Sequence, residues 1–510
     1  MKKFIVVGLI GLTVMAFSSQ VNAQPKMTFM ASGYLEVVTF LQRNIVIGSN
    51  GNFATVLASP NRHRSRAQSL SGSWNRTQSY WEERGRLDFN FIMDKSLSAT
   101  VGFEMDSGRM GEGNASTGIG TWNTDQTLIE IRYAYLTAGL PYIGIPIPMT
   151  VRAGIQPLAH RPSMFLYTEG PAITGTLNIN PVMIGLTWAK PFEGKEAAAD
   201  DVDVYGLTAS AKVGTISVGG FVYYYNMNTY PLNTYTSTYG LTNAYTSDMW
   251  WFGVNSDGRL GPIDYNFDFV YDNGNVEFRR NTALATLAAT AKKKVDYRGF
   301  ATQLKITYPW EKFAFGALGM YASGADLKRT GRYGLPGESV EYGTGYTRKV
   351  GAYVVPPGSE NYSIWGEAMV FNNNYITATA TPATLTPTGQ HPNAMTRGAI
   401  GGTWVAKIFA SVSPVPWYKV TLQGMYIGDT TKHGNTLGDN FKNSRLENDS
   451  TIGWEVDLLN DIKIYNNLTW SVGGGILFAG DAFRQSTLSN ARGSLPENPW
   501  IIATKLRYNF

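Results

Sequence analysis

Apolar and polar residues alternate with a period of two through much of this chain, a pattern that predicts strands. Successive side chains of a strand point to opposite faces, so each run has one greasy and one wet side. Between 84 and 93, Leu87, Phe89, Phe91 and Met93 alternate with Arg84, Arg86, Asp88 and Asn90. After a short turn at 94–96, Leu97, Ala99, Val101, Phe103 and Met105 alternate with Ser98, Thr100, Glu104 and Asp106. Pairing Met93 with Leu97 sets Phe91 against Ala99, Phe89 against Val101 and Leu87 against Phe103. The same register sets Arg86 against Glu104 and Arg84 against Asp106 on the other face. A slip of one residue would spoil both faces together.

A second hairpin follows the same logic. Ile452, Trp454, Val456, Leu458, Ile462 and Ile464 alternate with Glu455, Asp457, Asp461 and Lys463. Beyond a turn at 465–467, Leu468, Trp470, Val472, Ile476 and Phe478 share one parity. In the last residues, Trp500, Ile502, Leu506, Tyr508 and Phe510 share a face, with Lys505, Arg507 and Asn509 on the other.

Read throughout, the pattern predicts strands at 27–38, 81–93, 97–107, 127–138, 149–157, 172–179, 182–190, 203–213 and 215–227. Nine more follow at 249–259, 263–272, 297–307, 312–323, 397–411, 417–428, 451–463, 468–479 and 499–510. Short connections carry turn residues at 94–96, 180–181, 260–262, 309–311, 413–416 and 465–467. Other connections are long, notably 39–80 and 324–396. One-sided asymmetry of this kind marks an all-β, antiparallel, up-and-down transmembrane barrel with periplasmic turns and extracellular loops. Both termini then lie on one side, the count is even, and 18 strands are expected, with 16 as the alternative. Residues 24–510 read as a single barrel domain, with the Thr- and Pro-rich stretch 377–387 as exposed loop.

The N-terminus sharpens this picture. Lys2 and Lys3 precede an apolar stretch from Phe4 to Phe17, and Val21 and Ala23 supply small residues for cleavage. Residues 1–23 therefore read as a secretory signal peptide. With no Cys, neither lipidation at that junction nor any disulfide is expected. Only 16% of residues are charged, against about 25% in soluble proteins, while Tyr (29), Trp (13) and Gly (55) abound. Low charge with many aromatics suits lipid-facing strands and interfacial girdles. The net charge of +5, or +3 without the two signal lysines, is too small to imply a nucleic-acid partner.

The segments 83–93, 101–106, 129–136 and 151–156 resemble the homotrimeric outer-membrane porins of sulfate-reducing and related bacteria. The likeness covers roughly 80–190 and the final strand. It implies a trimer of water-filled barrels passing small hydrophilic solutes. Phe510 and Tyr508 resemble the signal read by the barrel-assembly machinery. The large loops at 39–80 and 324–396 depart from the family pattern and leave the pore width open.

Selectivity in a porin comes from charges around a constriction and from loops folded into the lumen. By the resemblance, the third extracellular loop, 158–171, folds inward and brings Arg161 and Glu169. Inward faces of neighbouring strands offer Arg84, Arg86, Arg132 and Arg152. A cationic ladder opposite an acidic loop would set up a transverse field, whereas the register also allows plain ion pairs along the wall. The cluster Arg62–His63–Arg64–Ser65–Arg66 suits a solvated loop, or lipopolysaccharide phosphates. Asp200, Asp201 and Asp203 lack a full calcium-ligand pattern and read as solvated loop. Outward members of Tyr223–Tyr224–Tyr225 and Trp250–Trp251 suit a girdle, and inward ones a sugar-stacking platform. The four His residues, His63, His160, His391 and His433, fall in expected loops without a catalytic pattern. No enzyme activity, cofactor or metal is expected. The leading function is a passive diffusion porin; a substrate-specific sugar or organic-acid channel and a surface scaffold or adhesin are the alternatives.

Overall fold

The computed structural model describes residues 27–43, 77–94, 96–106, 110, 129–162, 164–194, 199–230, 232, 245–278, 294–326, 349–359, 367–371, 395, 398, 400–436, 441–442, 445–484, 495 and 497–510. The expected signal peptide, the Arg62–Arg66 cluster, His63, His391 and the stretch 377–387 lie outside these residues.

Eighteen long strands form one closed antiparallel sheet, which settles the count against 16. They are β1 (Thr28–Arg43), β2 (Thr77–Asp94), β3 (Leu97–Asp106), β4 (Ile129–Gly139), β5 (Met149–His160) and β6 (Leu166–Ile179). Next come β7 (Val182–Phe192), β8 (Val202–Val213), β9 (Ile216–Tyr230), β10 (Tyr245–Leu260), β11 (Ile263–Phe278) and β12 (Phe300–Trp310). The last are β13 (Phe313–Ala322), β14 (Thr403–Val415), β15 (Tyr418–Asp429), β16 (Thr451–Tyr465), β17 (Leu468–Ala479) and β18 (Trp500–Asn509). Each pairs with its sequence neighbour, and β18 pairs back onto β1 from Tyr34↔Asn509 to Arg43↔Trp500. One residue further, Phe510 exchanges two backbone hydrogen bonds with Gly33, at 2.8 and 3.0 Å. A side chain at Gly33 has no room, because its Cβ would lie 2.0 Å from the carbonyl oxygen of Arg86.

The expected hairpin register holds in β2–β3, from Arg84↔Asp106 and Arg86↔Glu104 to Phe91↔Ala99. At the turn the last pair is Asp94↔Leu97, so Met93 is the extra residue of a bulge and not the partner of Leu97. A second departure lies in β16, where a register shift against β15 turns Ile452 inward and buries it. Several strands also run past their expected ends: β1 and β2 into loop 39–80, and β5 and β6 into loop 158–171. His160 therefore ends a strand and does not sit in a loop.

The outer face is apolar. Leu136, Ile173, Leu186, Leu207, Val254, Leu304, Leu422 and Leu458 point outward, and Ile408 stands 71% exposed. Aromatic pairs flank this band. Tyr224–Trp250 (4.4 Å) and Tyr426–Trp454 (4.8 Å) lie toward the loop end, Trp310–Phe313 (5.8 Å) and Tyr508–Phe510 (5.9 Å) toward the turn end. Rings with an apolar body and a polar tip are suited to the two interfaces of a bilayer. Among the described residues no helix is long and apolar enough to cross a membrane.

Candidate channel lumen

The inner face is polar, and one sector of it gathers most of the candidate residues. Arg84 and Arg86 of β2 reach Glu104 of β3 at 3.3 and 3.1 Å. Arg132 of β4 meets the other oxygen of Glu104 at 2.5 Å and also pairs with Glu169 of β6. One carboxylate thus joins three guanidiniums, and Glu169 closes the group. Backbone register sets Arg84 opposite Asp106, and its guanidinium also reaches Glu104.

Arg132 and its neighbour Tyr133 both face inward, which plain alternation forbids. The cause is a bulge: Gly102 pairs with Tyr133 and Phe103 with Ile131, leaving Arg132 as the extra residue. Tyr133 then lies against Gly102, where a Cβ would sit 2.3 Å from its ring, and its hydroxyl donates to Asp88 at 2.7 Å. Beyond the bulge the parity is reversed, so Leu136 faces out and Tyr135 in.

Below this group, Arg152 of β5 lies over the Tyr135 ring at 4.6 Å. Across the seam, Arg507 of β18 stacks on Tyr34 of β1 at 3.8 Å and reaches Glu36 at 3.5 Å, with Lys505 beside it. Lys505 and Arg507 are lumen-facing cations in addition to the candidates drawn from the sequence. Their parity in the last strand was the available signal. The sector formed by β18 and β1 to β5 therefore carries a run of cations, several held flat on tyrosine faces.

Arg161 and Glu169 do not face each other across a gap. Arg161 sits in the turn between β5 and β6, in the left-handed region at φ 47°. It crosses the lumen and makes a bidentate contact with Asp257 of β10, at 2.8 and 3.1 Å, and a further ion pair with buried Asp268 of β11. Glu169 remains on the near side with Arg132. The β5–β6 hairpin thus spans the interior, with its base at the Arg84–Arg86–Arg132 group and its tip on the far wall. Phe165 at the tip stacks on Phe221 (4.7 Å) and packs against Tyr223 (5.2 Å) and Trp251 (6.1 Å). Tyr223, Tyr225 and Trp251 are buried beneath this packing, so they offer no open stacking platform for a sugar. The outward rings Tyr224 and Trp250 do line the outer face.

Two stretches of the long segment between β13 and β14 also enter the barrel, which the sequence pattern did not signal. In the first, residues 349–359, Val354 N–H donates to Asp272 of β11 at 3.1 Å, and its carbonyl accepts from the Trp251 indole at 2.9 Å. Tyr353 donates to the Met164 carbonyl at 2.5 Å, and Ser359 to that of Phe165 at 2.8 Å, tying this stretch to the hairpin tip. In the second, residues 367–371, three consecutive N–H groups donate to β16. Met369 reaches Asp457 at 3.2 Å, while Val370 and Phe371 each reach one oxygen of Glu455 at 2.7 Å. Glu367 in this stretch pairs with Lys305 of β12 at 2.6 Å and with Lys407 of β14. Burial opposes ionisation of Glu367, but the two ammonium groups outweigh it and hold its carboxyl below the usual carboxylate range.

Among the loop acids, Asp201 binds Lys190 at 3.1 Å and Asp203 accepts from the Trp188 indole at 3.0 Å, while Asp200 is buried and not solvated as expected. No cluster of metal-ligating side chains occurs among the described residues.

No family model matches the chain, and no curated protein does. Several solved outer-membrane structures have a distant likeness to it. OccK8 (OprE) of Pseudomonas aeruginosa is 10% identical with a TM-score of 0.46, over 94% of this chain and 98% of that one. OccAB4 of Acinetobacter baumannii is 10% identical with a TM-score of 0.47, over 96% and 100%. A BenF-like porin from Pseudomonas fluorescens Pf-5 is 8% identical with a TM-score of 0.46, over 94% and 98%.

Proposed function

We propose that this chain is an outer-membrane porin that carries small hydrophilic solutes and ions by passive diffusion. The observation that carries the reading is a closed barrel, apolar outside, whose inner face holds a run of cations beside chain folded into the lumen. Such a lumen replaces part of the hydration that a polar solute loses on leaving water. The cations Arg84, Arg86, Arg132, Arg152, Lys505 and Arg507 favour anions, and the inserted stretches narrow the path. Both features support the organic-acid form of the substrate-specific reading over the sugar form. Arg161 and Glu169 hold the hairpin that shapes the constriction.

The signal peptide at 1–23 and the aromatic ending Tyr508–Phe510 support export and handling by the barrel-assembly machinery. The resemblance over 80–190 supports a homotrimer in contact with outer-membrane lipids and lipopolysaccharide. Conductance of the purified protein in planar bilayers tests the reading. Ohmic steps that a salt gradient shows to be anion-selective are expected, and saturation by a small carboxylate would mark substrate specificity. Absence of conductance would leave the surface-scaffold reading.

A further inference from the structure

The outer face is not alike all the way round. Each strand from β7 to β18 places an aromatic ring at the loop end of that face, among them Trp188, Tyr205, Tyr321, Trp454 and Phe478. Among the described residues, β3 to β6 place neither Tyr nor Trp on theirs, and the ring resumes at Trp81 of β2. Ile129, Ile131 and Leu136 of β4 project there instead, at 63%, 62% and 61% exposure. Below them, the β4–β5 turn at 140–148 also exposes Ile143 and Ile147. The wall itself is incomplete in this sector. β4 and β5 pair only from Ala134↔Ile155 to Gly139↔Thr150. Above Ile155, β5 leaves the wall with β6, and β6 meets β7 only from Ala172↔Ala189 onward. A notch two strands wide at its foot results. On that side, the β4 edge from Ile129 to Tyr133 has no backbone partner among the described residues.

Resting on the homotrimer of the porin reading, we propose that the outer face of β3 to β6 is the contact between copies of this chain, with the Ile129–Ile131 ridge of one copy seated at the notch of the next. Rings of Tyr and Trp belong at headgroup depth, so their absence marks a face turned away from headgroups. Hydrocarbon cannot satisfy the open β4 edge, whereas polypeptide can. Rotation about an axis along the membrane normal keeps every residue at its own depth. Ridge and notch both lie along the loop-end half of β4, so they meet at one level. They are also unlike and adjacent, which makes the contact heterologous and lets it close as a ring. The apolar turn at 140–148 lies beneath the same sector, where a lipid occupant would leave it wet and neighbouring copies cover it.

The test reads the native mass of the full chain in mild detergent, beside conductance of the same preparations in planar bilayers. Trp is favoured where a side chain meets headgroups and is oversized where it meets packed protein, so Ile131→Trp separates the two settings. Wild type is expected at three copies. Ile131→Trp is expected to raise the single-copy fraction about ten-fold or more, the effect of overpacking a filled contact. Ile408→Trp, on the outer face of β14, is expected to leave three copies. Heat-modifiable folded bands on gels show that each variant folds. Should Ile131→Trp lose its band, Ile131→Ala takes its place, with a shift in the same direction expected. A β4 variant that stays at three copies like wild type would overturn the interface, and so would equal dissociation of Ile408→Trp. Wild type that conducts as single copies would overturn the interface and the homotrimer while the channel reading stands. Three copies that Ile131→Trp separates, but that never conduct, would sink the channel reading and support the interface.

Discussion

Arg132 shows how much a single extra residue decides. Its bulge lets Arg132 and Tyr133 face the lumen together, and the Arg132 side chain, 9% exposed, holds Glu104 and Glu169 at once. Replacing it by Ala leaves two carboxylates competing for Arg84 and Arg86. Breaking such a partly buried group costs on the order of 2 kcal/mol, after allowance for water in the lumen. A lowered midpoint in urea unfolding from lipid vesicles would register it. Arg152 is a different case, because it rests on Tyr135 within the cationic run. Arg152→Glu is expected to move the reversal potential in a salt gradient toward cations, and no shift would remove Arg152 from the constriction. The inward face of Arg84, Arg86 and Arg152 was legible from alternation. The added contact of Arg84 with Glu104 was not, since register fixes the backbone while a long side chain chooses among several carboxylates.

At the scale of elements, the β5–β6 hairpin was half legible. The inward fold of segment 158–171 was expected, but its strands run on to His160 and resume at Leu166. Alternation fades there because the hairpin is surrounded inside the barrel and has no lipid face to mark one parity as apolar. The two stretches at 349–359 and 367–371 left no readable pattern for a related reason. Their backbone N–H groups are satisfied by Asp272, Asp457 and Glu455, which are far away in sequence. The aromatic seat of Phe165 makes a separate prediction. Phe165→Ala removes the ring stacked on Phe221 and costs about 3 kcal/mol of tip docking. Chymotrypsin cleavage after Tyr167 in the folded protein is expected to become fast, while wild type resists. Equal resistance would mean that the Arg161 pairs with Asp257 and Asp268 hold the tip unaided.

For the whole molecule, the strand number followed from short turns on one side and long connections on the other. This was reliable because lipid permits no unpaired backbone along the wall. Oligomeric state is a further expectation at this scale: gentle detergent extraction should give a native mass of three copies, and a monomer would set the family resemblance aside. The last consequence concerns the Gly33–Phe510 bond pair. A ring is fastened only when its first and last staves meet, and here the Gly33–Phe510 bonds continue the seam that β18 makes with β1. Until then the sheet keeps two open edges, each a template for pairing with another chain. Loss of Phe510, or Gly33→Val, is expected to reduce the heat-modifiable folded band on gels far more than either changes the open-channel current of molecules that do fold. The free edge of β1 is therefore covered only by β18, the strand most distant from it in sequence.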